Sequence, residues 1–351
     1  MNNPSGAVRR QARPQAPAKW GEFEIVCPRC WGSLAAEPEA LRCAACETAF
    51  PIDLGVPDVR VFPDPYISIE NDRAKGRHLA SRFQDFDFAG LVGYYYSITP
   101  AVRPDQARMF TAGVLAAGAR ARVMLESWHN EVGKPRDASL LEIGCGTAPL
   151  LLAAREQYAR VMGLDISYRW LTVGRKRMEE TGVHVPILCG CAEALPFPSG
   201  TFDRVAMEST LEVTRDQPAT LRECMRVLRP GGALLLTTQN RFSPGPDPHT
   251  GLWGGSMLPP AWVLAYVRWR GGIPPRRRFL SAGSLRRSLS AAGFNQIRVL
   301  PADVTAGQSG IVPAPLRIGI SAYRAARTLP LAGAVARLIA PSLLATARKP
   351  A

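Results

Sequence analysis

The sequence predicts an α/β protein with a doubly wound, mostly parallel sheet. Three observations carry this. Apolar strands and amphipathic helices alternate through residues 139–239. The strand Ser139-Leu-Leu-Glu-Ile143 runs into a glycine turn, Gly144-Cys-Gly-Thr147, and then into a helix. A second strand ends on an acid, Asp165, twenty-one residues after Gly144. Two glycines let backbone approach a ligand closely, and an acid at the tip of the next strand can hold ribose hydroxyls. Together they form a nucleotide cradle.

The elements follow in order. Residues 1–20, polar and rich in Arg and Pro, read as a disordered tail without a signal-peptide pattern. Residues 21–60 form a small cysteine-bearing module, and Pro63-Asp-Pro65 begins a linker. Residues 75–131 read as helical, because Phe110, Val114, Leu125 and Trp128 recur near a helical period after Pro104. This linker and helical lid segment spans 61–137.

The main domain then covers 138–351. Strands are expected at 139–143, 160–165, 184–189, 203–207 and 232–239, with helices near 147–157, 167–181 and 216–228. Arg229-Pro-Gly-Gly232 stops the last helix. An irregular insert, 240–280, precedes a helix near 281–292 and a strand near 295–301. A second insert, 302–341, leads to a final strand at 342–348, which makes seven strands.

The chain has 351 residues, 46% of them hydrophobic, which is enough for about two folded domains. Lys and Arg total 43 against 29 acids, a net charge of +14. Such an excess suits a polyanion or a membrane surface. GC-rich coding gives the same bias, however, since only five of the bases are lysine. The bases are also scattered, and Arg276-Arg-Arg278 is the longest run. Residues 329–347 are the most apolar stretch, but Pro330, Arg337 and Pro341 break it, so no spanning helix is expected. Cys145, Cys189, Cys191 and Cys224 lack partner spacing and read as reduced thiols of a cytoplasmic protein.

The other four cysteines form two pairs, Cys27-Pro-Arg-Cys30 and Cys43-Ala-Ala-Cys46, twelve residues apart. Each turn points two thiolates at one cation, and two turns close a tetrahedral site. Forty residues need such a staple to fold. Zinc fits this donor set, and four thiolates leave no open position, so its role is structural.

A third element joins the glycine turn and the acid: Cys189-Gly-Cys-Ala-Glu-Ala-Leu-Pro-Phe-Pro-Ser-Gly-Thr-Phe-Asp203. Through LLEIGCGT, GLDIS, AEALPFPSGTFD and RVLRPGG, residues 138–240 resemble the class I S-adenosylmethionine-dependent methyltransferases related to the ubiquinone/menaquinone enzymes. The module ending Phe50-Pro-Ile-Asp-Leu-Gly-Val-Pro57 looks like the zinc ribbons that accompany some of them. The resemblance implies a Rossmann-like fold and S-adenosylmethionine as donor. It places Glu142, Gly144, Cys145 and Gly146 on the methionine and ribose side, and Asp165 on the ribose hydroxyls. Ile166, Cys191, Ala192 and Glu193 fall around the adenine, with Glu208 beyond the fourth strand.

Three positions depart from the family pattern. Ala148 stands at a frequent glycine, Cys191 at the usual adenine-binding aspartate, and Val213 at a histidine found in many relatives. Either Glu193 substitutes for the missing aspartate or donor affinity is weak. A nicotinamide dehydrogenase would need a third glycine where Pro149 stands.

Methyl transfer from a sulfonium is an in-line displacement in which alignment supplies much of the rate. A base is needed only for a poorly acidic acceptor. His249, in the segment after the fifth strand, is the first candidate, followed by Glu208 and Glu212. His78 and Tyr94-Tyr-Tyr96 lie in the helical segment that covers the substrate in such enzymes. The expected acceptor is an apolar lipid, quinone or secondary metabolite, methylated on oxygen or carbon. Trp253, Trp262, Tyr266 and Trp269 motivate this, and residues 260–270 read as an amphipathic helix suited to peripheral membrane contact or to a lid. An RNA methyltransferase with a zinc module is the alternative. Its bases are not interleaved with aromatics, however, and Glu208-Ser-Thr-Leu211 is no NPPY-like tetrapeptide. A non-catalytic adaptor is a third reading.

Overall fold

The computed structural model describes residues 18–134, 136–247, 249–302 and 329–351, with Ser321, Tyr323 and Ala325. The expected tail over 1–17 and most of the second insert lie outside these residues.

The chain is structured from Ala18, earlier than the expected tail allows. Strands β1 (Lys19–Trp20) and β2 (Phe23–Glu24) pair, and the Trp20 indole N–H donates to the Ile187 carbonyl at 2.9 Å. A half-buried indole seeks such a partner. Strands β3 (Leu34–Ala36), β4 (Ala40–Cys43), β5 (Ala49–Asp53) and β6 (Val56–Pro57) form a four-stranded antiparallel sheet. The module packs against the main domain. Phe23, Leu34, Leu41 and Phe50 share one core with Leu188, Phe197 and Phe202, and the Phe23 and Phe202 rings lie 4.8 Å apart.

The helical segment resolves into α1 (Ile69–Ala80), α2 (Phe88–Ser97), α3 (Pro104–Leu115) and α4 (Ala117–Val132). Ser68 and Asp87 cap α1 and α2 through their side chains. Pro104 opens α3.

Seven strands then build one sheet: β7 (Ser139–Ile143), β8 (Arg160–Asp165), β9 (Ile187–Cys189), β10 (Phe202–Glu208), β11 (Leu228–Gln239), β12 (Asn295–Pro301) and β13 (Ser342–Arg348). Their order is β12-β13-β11-β10-β7-β8-β9, and only β13 runs antiparallel to its neighbours. The sheet is the Rossmann-like architecture expected. Strand β9 is shorter than residues 184–189 because Pro186 cannot donate to a ladder.

Side chains alternate across the sheet. Leu141, Ile143, Met162, Leu164, Leu234 and Leu236 face one core, and Leu140, Val161, Ala233 and Leu235 face the other. Helices α7 (Gln217–Val227) and α9 (Ala282–Ala291) cover the first face beside the module. Helices α4, α5 (Pro149–Arg155) and α6 (Tyr168–Thr181) cover the second. Helix α5 starts two residues later than expected because Ala148 is left-handed, with φ 65°. The irregular insert contains α8 (Pro260–Trp269), and α10 (Pro330–Leu338) precedes β13. No helix among the described residues is long and apolar enough to cross a membrane.

Candidate active site

A cavity of about 720 Å³ opens at the carboxyl ends of β7, β8, β9 and β10, the usual ligand position in doubly wound sheets. Its walls include Gly144, Asp165, Ile166, Ala192, Glu193, Glu208 and Thr210 on the side of the turn, and Arg215 and Arg276-Arg-Arg278 on another side. Gly144 has φ +78°, and a Cβ there would collide with the Thr210 side chain. Gly146 has φ +48° and open space where its Cβ would point. The turn needs both glycines and leaves room above the second.

Asp165 holds the turn in shape. One carboxylate oxygen accepts the Gly146 N–H at 2.8 Å, and the other accepts the Ser167 N–H at 2.7 Å. Burial pushes its pKa up to about 6, against the pull of those two amide hydrogen bonds. Glu142 is buried behind the turn and, like Gly146, does not itself line the cavity; its Oε2 has no hydrogen-bond partner. Burial, then the nearby Glu208 and Asp165 carboxylates, hold its pKa well above the carboxylate range. An orphaned buried carboxylate oxygen beside an open glycine turn fits a ligand that carries a cation. The cradle thus suits the donor implied by the resemblance, an aminoacyl sulfonium nucleoside.

The remaining expected residues divide. Glu208 lines the cavity and receives Arg120 Nε at 2.8 Å. Glu193 also lines it, with one oxygen capping the Arg215 and Asp216 N–H groups at 2.7 and 3.1 Å. The Cys145 thiol is buried under the turn, and Cys191 Sγ turns to the Phe62 carbonyl at 3.5 Å, so neither side chain lines the cavity. Glu212 lines neither of the cavities described here. Its oxygens accept Thr238 Oγ1 at 2.8 Å and the Gln239 N–H at 3.3 Å. It buttresses the end of β11, so the expectation of a base at Glu212 finds no ligand space beside it.

His249 lies in a second cavity, of about 320 Å³, walled by Tyr66, Tyr95, Phe110, Tyr266, Val267 and Ile273. Burial lowers its pKa to about 4, so the imidazole is neutral at neutral pH. Lys75 lines the same space, with its Nζ 4.3 Å from the centre of the Tyr95 ring. Desolvation, then the Arg169 charge, lowers its pKa to about 8. The cavities share a partition. Asp64 and Pro65 face the larger and Tyr66 the smaller, while the Arg276 N–H donates to the Tyr66 hydroxyl at 2.7 Å. Sequence reading missed Tyr66, Lys75 and Tyr95 as one wall, because they come from separate segments without shared periodicity.

It also missed the clasp behind the cradle. Arg60, with a side chain 0% exposed, pairs with Asp58 at 2.7 Å and Asp72 at 2.6 Å. It also donates to the Ile166 carbonyl at 3.0 Å. Arg169 pairs with Asp72 at 2.8 Å and Asp64 at 3.4 Å. The stretch expected to begin a linker is therefore held by buried charges.

In the module, the Cys27, Cys30, Cys43 and Cys46 sulfurs all lie within 4.8 Å of one another. Cys27 and Cys46 are 3.6 Å apart, and Cys30 and Cys43 are 3.4 Å apart. Thiolates about 2.3 Å from a zinc ion stand about 3.8 Å from each other in a tetrahedron. Gly32 keeps the space clear, since a Cβ there would come within 3.2 Å of Cys43 Sγ and 2.8 Å of the Ala45 methyl.

Comparison with known proteins finds likenesses over part of the chain. Residues 141–236 match the model of a methyltransferase domain. The chain is 29% identical over 185 residues to a demethylmenaquinone methyltransferase of Listeria welshimeri, covering 49% of this chain and 78% of the relative. It is 38% identical over 120 residues to the demethylmenaquinone methyltransferase of Symbiobacterium thermophilum, covering 31% of this chain and 47% of that protein. Among solved structures, the YcgJ protein of Bacillus subtilis aligns with a TM-score of 0.42 and 19% identity, over 65% of this chain and 98% of that one.

Proposed function

We propose that this chain, a class I S-adenosylmethionine-dependent methyltransferase, methylates an apolar small molecule held in the aromatic cavity beside the donor site. The acceptor class is a lipid, quinone or secondary metabolite, methylated on oxygen or carbon. The observation that carries this reading is the pairing of a cation-fitting cradle with a second, aromatic cavity whose wall continues from the same segments, Asp64 to Tyr66 and Pro275 to Arg276. The 29% identical relative named for a quinone precursor supports the same acceptor class.

S-adenosylmethionine supplies a methyl group on a positively charged sulfur with a good leaving group. The chain's task is then binding, alignment and handling of one proton. Glu142 answers the donor's ammonium with its free oxygen. Asp165 keeps lone pairs for ribose hydroxyls while its amide hydrogen bonds fix its direction. Ile166, Ala192 and Glu193 form the adenine side. Aromatic walls orient the acceptor and exclude water.

His249, neutral and inside the acceptor cavity, takes the proton of a phenol or an activated carbon acid. Glu208, held by Arg120 at the donor side, is the second group able to do so. The four cysteines hold a structural zinc ion.

The test is transfer of radiolabelled methyl from the donor into an organic extract of cells and, separately, into total RNA. The reading expects label in the organic phase. Label confined to RNA contradicts it.

A further inference from the structure

The net charge of the protein sits almost entirely in its last third. Residues 248–351 contain thirteen arginines and one lysine against a single acid, Asp303. The bases are scattered along the chain, as the sequence reading has it, but the acids stop. No acid lies between Asp247 and Asp303, the stretch that contains α8.

Helix α8 has two unlike faces. Val263 and Val267 are buried, and Tyr266 and Val267 line the aromatic cavity. Trp262 and Trp269, two turns apart and so on one face, are 66% and 79% exposed. Trp253 and Met257 before the helix are 58% and 47% exposed, and Ile273 after it is 58% exposed. Arg268, Arg270, Arg276 and Arg278 are exposed in the same segment; Arg270 also borders the aromatic cavity and lies 3.9 Å from Asp105 of α3, and Arg276 and Arg278 also border the donor cavity. Large apolar groups set singly on a surface are ordinary. Two tryptophans repeating on one helix face, among arginines and with no acid in their own segment, form a patterned patch whose nearest acid is Asp105 of α3, 3.9 Å from Arg270.

We infer that α8 and its flanking loops dock the protein on an anionic lipid surface. Indole rings partition into the headgroup region, where their apolar body and N–H are both accommodated. Exposed arginines supply attraction to acidic headgroups, with no acid in the segment to oppose it. The inner side of the helix and the loop after it supply Tyr266, Val267, Arg270 and Ile273 to the acceptor cavity. A docked helix therefore sets that cavity beside the bilayer, where an apolar acceptor resides. This role for the cavity rests on the proposed function; the docking itself does not.

Flotation of the full chain with phosphatidylcholine vesicles, with and without phosphatidylglycerol, tests the inference in the absence of donor and acceptor. Binding to the phosphatidylglycerol vesicles that weakens with salt is expected. Trp262→Ala with Trp269→Ala should weaken it by about tenfold or more, while Trp262→Phe with Trp269→Phe retains most of it. Donor binding by both double variants certifies their folding, since neither tryptophan lines a cavity. No binding to either vesicle, equal binding to both, or an alanine pair that binds like the unmodified chain would overturn the inference. So would salt-dependent binding to RNA that the alanine pair leaves intact while vesicles are ignored. Loss of methyl transfer with docking preserved would count against the proposed function and leave the docking standing.

Discussion

At the scale of the residue, two carboxylates near the glycine turn make opposite predictions about protons. Burial, and then its acidic neighbours, raise the pKa of Glu142. A cationic ligand beside it lowers that pKa again, so donor binding should release protons wherever the free and bound forms differ in protonation. Calorimetry across a pH series in buffers of different ionisation heat should show that release. Glu142→Gln should abolish it and weaken binding by about 1.5–3 kcal/mol, the worth of a charged hydrogen bond.

In the proposed site Asp165 accepts two ribose hydroxyls most strongly when ionised, and burial pushes its pKa up to about 6 from the ordinary aspartate value. Donor affinity should therefore fall as pH drops through 6, approaching about tenfold per unit below it. An affinity flat between pH 7 and 5 would contradict the role of Asp165. For His249, the His249→Ala variant should lower kcat by about 10²–10⁴-fold with little change in KM. Its pKa of about 4 places the acid limb of kcat low, not near 6.5.

At the scale of the element, two ion pairs of similar length differ in consequence. Arg60 pairs with Asp58 and Asp72 without solvent. Arg42 pairs with Glu37 at 2.8 Å with both side chains well exposed. Arg60→Ala leaves buried Asp58 with only Arg73, at 3.5 Å, and Asp72 with Arg169 as its one remaining ion-pair partner, and should cost about 3–5 kcal/mol by chemical denaturation. Arg42→Ala should cost less than about 1 kcal/mol. Equal effects would remove the clasp from the account.

The same contrast explains what could be read beforehand. The cradle is local: strand, turn, helix and second strand occupy about thirty residues, and each step has its own residue chemistry. The clasp joins Arg60 to Asp72 and Ile166, and no periodicity reports a contact across a hundred residues. The partner of Cys191 was equally hidden, since the Phe62 carbonyl reaches it only through the fold. The amphipathic helix near 260–270 was legible because a helix displays its faces at fixed spacing. Which face would stay exposed was not.

At the scale of the whole molecule, the cysteine module is a wall of the enzyme. Its core is continuous with β9 and β10, and the residues that follow it, Phe62 to Pro65, line the donor cavity. Removing zinc with a chelator should therefore lower the melting midpoint of the entire chain, by about 2 °C for each kcal/mol lost, and weaken donor binding. Purified protein without zinc, or chelation that leaves both properties unchanged, would contradict this.

The central claim is that the donor lies over Gly144–Gly146, its ribose on Asp165 and its ammonium at Glu142. A crystal structure with S-adenosylhomocysteine tests it most directly. The account predicts density in the cavity at the ends of β7 and β8, with the sulfur turned toward the aromatic cavity. Density at another place, or a product that binds in solution yet leaves this cavity empty in the crystal, would contradict it.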